Sequence, residues 1–163
     1  MDAAWAKKNN EVHYGYKDHV LCEAESKMVL DYRVTAANLH DSRMLTALMG
    51  DKIRELWADS AYMSKELLAW FAEYYPEIKL HICEKGHKNH PLSETQKLNN
   101  REKSRIRVRV EHVFGHMTNS MGGMFIRCIG IERAECAIAL KNLAYNVSRY
   151  ATLRKRKETP KMA

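Results

Sequence analysis

From Val12 to Cys22 the even positions are Val12, Tyr14, Tyr16, Val20 and Cys22, interrupted by Asp18. Successive side chains of an extended chain point to opposite faces, so this period-two alternation of β-branched and aromatic residues predicts a strand. Glu25-Ser26-Lys27 makes a polar turn, and Met28, Leu30, Tyr32 and Val34 alternate after it, giving an antiparallel hairpin. Asn38 to Asp41 breaks the pattern, and Asp41 or Ser42 supplies the cap of a short helix over 43–49. A mostly apolar stretch, Ile53 to Ala58, stops at Asp59-Ser60. Ser64 then caps a helix containing Leu67, Leu68, Trp70 and Phe71, which Pro76 ends, and Ile78, Leu80 and Ile82 alternate as another strand. Ser93-Glu-Thr-Gln96 has the form of a capping box. It opens a long helix to about Met117, with Ile106, Val110, Val113 and Met117 as its core-facing stripe. Gly122-Gly123 breaks the chain, and a last helix over 132–153 carries Leu140, Leu143, Val147 and Tyr150 on one side. Hairpin, helix, strand, helix, strand is the order of an α/β fold, a mixed sheet with covering helices. Residues 154–163, opening with Arg154-Lys-Arg-Lys157, form a basic tail.

Charge adds a partner to this picture. The net charge of +7 suits a polyanion, because each Lys or Arg that meets a phosphate releases a condensed counterion. The plainer reading is that a basic surface keeps the protein soluble. Cys22, Cys83, Cys128 and Cys136 form no Cys-x-x-Cys pair and no disulfide framework. Met1 to Lys8 is too charged for a signal peptide and no run approaches the length of a membrane span, so a soluble, cytoplasmic protein is expected.

Asp59 ends a buried strand, where α/β folds place ligand sites; a plain turn or cap residue is its bland alternative. Glu111 lies in Arg105-Ile-Arg-Val-Arg-Val-Glu111, with Arg107 and Lys103 one and two turns before it on the same helix face. Such an arrangement serves either as a surface ion pair or as a carboxylate that holds a metal beside a phosphate-binding base. His81, Cys83, His87 and His90 have spacings a zinc site could use, but zinc wants two close ligand pairs and this is a single cluster. His40-Asp41 reads as a dyad, or more simply as a loop residue before a cap.

Several blocks, in order, resemble one family. Tyr14-Gly-Tyr-Lys17 with His19-Val20, Val34-Thr-Ala-Ala-Asn38 with His40-Asp-Ser42, and Ala58-Asp-Ser-Ala-Tyr62 are similar to the middle of bacterial insertion-sequence transposases of the DDE type. Pro91-Leu-Ser, Gln96-Lys, Asn100-Arg, Ser104-Arg-Ile-Arg107 and Val110-Glu-His-Val-Phe-Gly115 resemble the family's third catalytic block. Lys141-Asn-Leu-Ala-Tyr-Asn146 with Arg149 resembles its closing helix.

The resemblance implies an RNase H-like catalytic domain over residues 1–153, and two-metal cleavage and transfer of DNA strands with Mg²⁺ or Mn²⁺. By position it makes Asp59 the second acid and Glu111 the third, both metal ligands expected about 4–8 Å apart. Arg107 matches the signature arginine, and Lys103 with Arg107 is expected to face nucleic acid. Double-stranded DNA, as transposon ends and target, is the implied partner, together with a second copy or the upstream half of a split transposase. Three positions depart from the pattern. Thr118 stands where a lysine often follows the glutamate, and Ser104 where some members have tyrosine. The first catalytic aspartate and its strand belong upstream of Tyr14, where only Asp2 occurs, in a segment resembling a non-catalytic one. The chain is therefore expected to be truncated on its N-terminal side and inactive alone, with a DNA-binding remnant as the alternative function.

Overall fold

The computed structural model describes residues 3–158 except 9, 51, 63, 87 and 89; Asp2 and His87 therefore lie outside the described residues. The chain divides into two units, residues 1–40 with 110–163, and residues 41–109.

The first unit is built on a three-stranded antiparallel sheet, β1 (Ala4–Lys8), β2 (Glu11–Cys22) and β3 (Val29–Ala36). The hairpin predicted from the alternation is β2–β3, in register from Tyr16 opposite Ala36 to Cys22 opposite Val29, with a bulge between Leu21 and Cys22. Its polar turn is closed by the Glu23 carboxylate, which accepts from the backbone N–H groups of Glu25 (3.1 Å) and Ser26 (2.6 Å). Lys27 completes the turn at φ 60°, a left-handed conformation that costs a side-chain-bearing residue free energy. Helices α4 (Arg109–Ser120) and α5 (Ile131–Glu158) belong to this unit. Val113 and Met117, at helical spacing on α4, are 0% exposed and pack with Val29 and Tyr145. Gly122 and Gly123 then turn the chain at φ 75° and 82°, angles that a residue without Cβ adopts cheaply.

Alpha-helix α5 docks on the hairpin through polar groups. Asn146 accepts from Val29 N–H and donates to Val29 C=O, both at 2.8 Å, continuing the ladder of β3 with a side-chain amide. Tyr145 donates its hydroxyl to Lys27 C=O (2.7 Å) and Arg149 Nε donates to Ser26 C=O. Ala134, Ile138, Asn142 and Tyr145 are its buried residues. The stripe singled out from the sequence, Leu140, Leu143, Val147 and Tyr150, is instead 60–67% exposed. The helix also continues through Arg154 to Glu158, so the start of the basic tail is its last turn.

In the second unit a parallel pair, β4 (Glu55–Ala58) and β5 (Lys79–Ile82), runs in register from Glu55 opposite Lys79 to Ala58 opposite Ile82. Before it, α1 (Ser42–Leu45) and a 3-10 turn (Thr46–Leu48) bury Leu45 and Leu48. Asp41 precedes α1 without a side-chain cap bond, contrary to expectation. Helix α2 (Lys65–Tyr74) starts as predicted, Ser64 accepting from Leu67 N–H at 3.1 Å, and buries Leu67 and Phe71. Helix α3 (Glu94–Arg107) opens on the predicted capping box of Ser93 and Gln96. The long helix expected to reach Met117 is interrupted at Val108, so α3 and α4 are separate. The strands are α/β in content but form two sheets rather than one mixed sheet. No helix among the described residues is long and apolar enough to cross a membrane.

Candidate functional site

Parallel strands end on the same side, so the exits of β4 and β5 make one edge. Asp59 leaves β4 there with its side chain exposed. Its Oδ1 accepts from Ser60 N–H at 2.6 Å and from the Ser60 hydroxyl at 3.3 Å, which fixes the carboxylate; Oδ2 has no partner among the described residues. A 3-10 turn, Ser60–Tyr62, follows. The Tyr62 hydroxyl is pushed up to about 12, first by burial and then by the negative charges of Asp41 and Asp59, so it remains a neutral O–H donor beside two carboxylates.

Helix α3 covers the exit of β5. Lys103 Nζ donates to Ile82 C=O at 2.9 Å, and Ile82 is the register partner of Ala58, the residue before Asp59. Two of the residues expected at the site, Asp59 and Lys103, thus share this edge. Asn100 grips Glu84 at both backbone groups, 2.9 Å each, and Gln96 donates to the Glu84 carboxylate at 2.5 Å. Glu84 is a further acid at the strand exit, unremarked in the sequence because nothing in its spacing marks it. Cys83 is buried with Sγ 3.6 Å from Ser104 Oγ. His81 stacks on Trp57 at 4.7 Å and lies 3.6 Å from Glu55. Among the described residues no group of three or more His, Cys, Asp or Glu gathers as a metal cluster. Arg107 is the half-buried last residue of α3. The four-residue step from Arg107 to Glu111 crosses the break at Val108, so the expected shared face of one helix does not hold.

Glu111 is in the other unit, exposed in the first turn of α4. There Asp18 of β2 is a half-buried carboxyl. Asn142 Nδ2 donates to its Oδ2 at 3.2 Å, while Asp18 Oδ1 and Asn142 Oδ1 are buried without a hydrogen-bond partner among the described residues. Burial pushes the Asp18 carboxyl up to about 6, against the hydrogen bond from Asn142 and the neighbouring His19, both of which lower it. Its interruption of the β2 alternation was the sequence signal for an unusual residue.

Residues 1–147 match the family described as "Transposase DDE domain". The transposase for insertion sequence element IS1106 of Neisseria meningitidis serogroup B is 30% identical over 152 residues, covering 92% of this chain and 52% of the relative. The chain therefore spans about half the length of that protein. No solved structure matches the chain significantly. The match over residues 1–147 takes in the Asp59 block, the Glu111 block and most of α5, and by it the chain belongs to the DDE transposase family.

Proposed function

We propose that the chain is part of an RNase H-like catalytic domain of a transposase, which cleaves and transfers DNA strands when an insertion sequence moves. Family membership supports the reaction class. The single observation that carries the site is Asp59, an exposed carboxylate held by Ser60 at the exit of a parallel strand with one oxygen left open. Asp59 and the exposed Glu111 would hold Mg²⁺ or Mn²⁺; carboxylate oxygen is the donor such hard ions prefer, which fits the residues present. When bound, these ions activate the attacking hydroxyl and stabilise the leaving oxygen in strand transfer.

In this reading Asp59 is fixed by Ser60 so that only its open oxygen turns outward. Lys103 spends one N–H on Ile82 and has its remaining donors for a DNA phosphate. Arg107 would steady a DNA phosphate. Double-stranded DNA is the substrate, and a second copy of the chain is the partner this reading expects. The protein works in the cytoplasm. The test is Mn²⁺ binding followed by electron paramagnetic resonance. A shared ion is expected to be lost in Asp59→Asn and equally in Glu111→Gln. Binding that survives both substitutions, or no binding in the parent chain, overturns the assignment.

A further inference from the structure

Helix α5 spends one face on the hairpin and leaves a second apolar face open. Ala134, Ile138, Asn142 and Tyr145 are its buried residues, and at about 100° per residue they line one side of the helix. Leu140, Leu143, Val147 and Tyr150 fall roughly opposite and are 67%, 60%, 62% and 60% exposed. Their steps of three, four and three residues are the a and d rhythm of a heptad, the narrow seam that another helix fills. Ala144 and Ala151 flank the seam and are exposed; with no side chain beyond Cβ they let a second helix come close. These four large side chains leave on the order of 400 Å² of apolar surface open, as much as the largest patch on a typical monomer.

The charges along the helix select the occupant and its direction. Near the start, Glu132 and Glu135 outweigh Arg133; at the end stand Arg154, Lys155, Arg156 and Lys157. Glu158 is already paired with Arg154 Nε at 2.8 Å, so the last turn stays basic. A second α5 laid parallel would set one basic end against the other, and such like-charge contact is costly. Laid antiparallel about a centre between Leu143 and Val147, it brings residues 132–135 level with 155–158, acid beside base. The same shift sets Leu140 against the copy's Tyr150 and Leu143 against the copy's Val147. All four layers are then filled by one stripe meeting itself about a twofold axis, which closes the assembly at two.

We propose that this face of α5 binds a second copy of the chain, the two helices running antiparallel. The inference rests on the proposed function only in expecting a second copy; the face and the direction come from α5 itself. With the flanking alanines and the stems of the end charges, the pair would bury on the order of 1,000 Å², the size of a weak, reversible interface.

Sedimentation velocity of the whole chain, from low to high micromolar, is expected to show a monomer–dimer equilibrium. Leu143→Glu and Val147→Glu are each expected to leave only monomer, with an unchanged circular dichroism spectrum because both side chains are exposed. Direction is read by cross-linking. Cys136 is exposed, one turn before Leu140, and level with Arg154 of an antiparallel copy. Under mild oxidation Arg154→Cys is expected to form a covalent dimer that a further Cys136→Ser change abolishes. A parent chain that stays monomeric, or a dimer that survives both glutamate variants, overturns the interface. A parent dimer cross-linked through Cys136 alone, or no cross-link through Cys136 in Arg154→Cys, overturns the antiparallel arrangement. Mn²⁺ binding measured on the same samples separates this inference from the reading of the site. A monomeric parent that loses the ion on Asp59→Asn sinks the interface and leaves the metal assignment standing; a dimer that binds no ion does the reverse.

Discussion

Replacing Asp18 by asparagine is expected to stabilise the protein, and to do so increasingly as pH rises. An ionised Asp18 offers only acceptors to Asn142, and one oxygen of each side chain stays buried and unpaired. A proton on the carboxyl, or an amide in its place, supplies a donor. Burial raises the Asp18 pKa from 3.8 to about 6, so between these values the folded state binds more protons than the unfolded state. Stability from this group therefore falls as pH rises through that window, and the full penalty persists above it. Two pKa units correspond to an upper figure of about 3 kcal/mol; water reaching the half-buried group screens part of it, leaving about 2 kcal/mol. At about pH 4.5 only about a third of the penalty is present. Urea unfolding of the parent and Asp18→Asn chains, followed by circular dichroism at about pH 4.5 and about pH 8, measures both numbers. The variant is expected to gain about 2 kcal/mol near pH 8 and well under 1 kcal/mol near pH 4.5. A variant less stable than the parent near pH 8, or an advantage that does not grow with pH, would show that Asp18 is not held as a costly buried carboxylate.

Other substitutions probe the packing and the thiols. Asn146→Ala leaves the Val29 N–H and C=O unpaired and is expected to cost about 2–4 kcal/mol in urea unfolding; a loss below 1 kcal/mol would mean the ladder closes without it. Met117→Ala empties a fully buried position and is expected to cost about 2–5 kcal/mol by the same measurement, against near-zero cost if α4 were loosely packed. Burial pushes the Cys22 thiol up to about 11, whereas Cys136 is exposed, so near-neutral alkylation read by mass spectrometry should modify Cys136 first. Equal rates at the two cysteines would contradict the burial of Cys22.

Local rules were readable where a single residue type has a single job. Ser64 and Ser93 mark helix starts because their hydroxyls replace a missing backbone acceptor, and Gly122-Gly123 marks a turn by its backbone freedom. The alternation of β2 and β3 was equally plain. Helix α5 was misread because it carries apolar residues on more than one face. Size favoured Leu140, Leu143, Val147 and Tyr150, yet the face that docks is chosen by Asn142, Tyr145, Asn146 and Arg149, whose partners are backbone and carboxyl groups more than 100 residues away. Such pairings leave no periodic trace. The short strand β1 was missed because Ala4-Trp-Ala-Lys-Lys8 has one large apolar residue and pairs at a register only β2 supplies. At the site, Asp59 was found from its place after a strand, and Lys103 from its spacing. Tyr62 was legible only as part of the block that begins at Ala58; its burial beside Asp41, and the hold of Asn100 and Gln96 on Glu84, emerged only with the fold.

The bonds between α5 and the hairpin also set an order of events in the cell. Val29 and Asn146 are 117 residues apart in the chain, and a ribosome adding about 5–20 residues per second needs about 6–25 s to cover that distance. For that interval the hairpin is outside or nearly so while the helix that covers Val29 does not yet exist. Its apolar face and the unpaired Val29 backbone must wait in water or in the hands of a chaperone. Assembly of this unit therefore waits on synthesis of α5 even when its strands form early, and slowing translation between the hairpin and that helix would lengthen the aggregation-prone stage rather than aid folding.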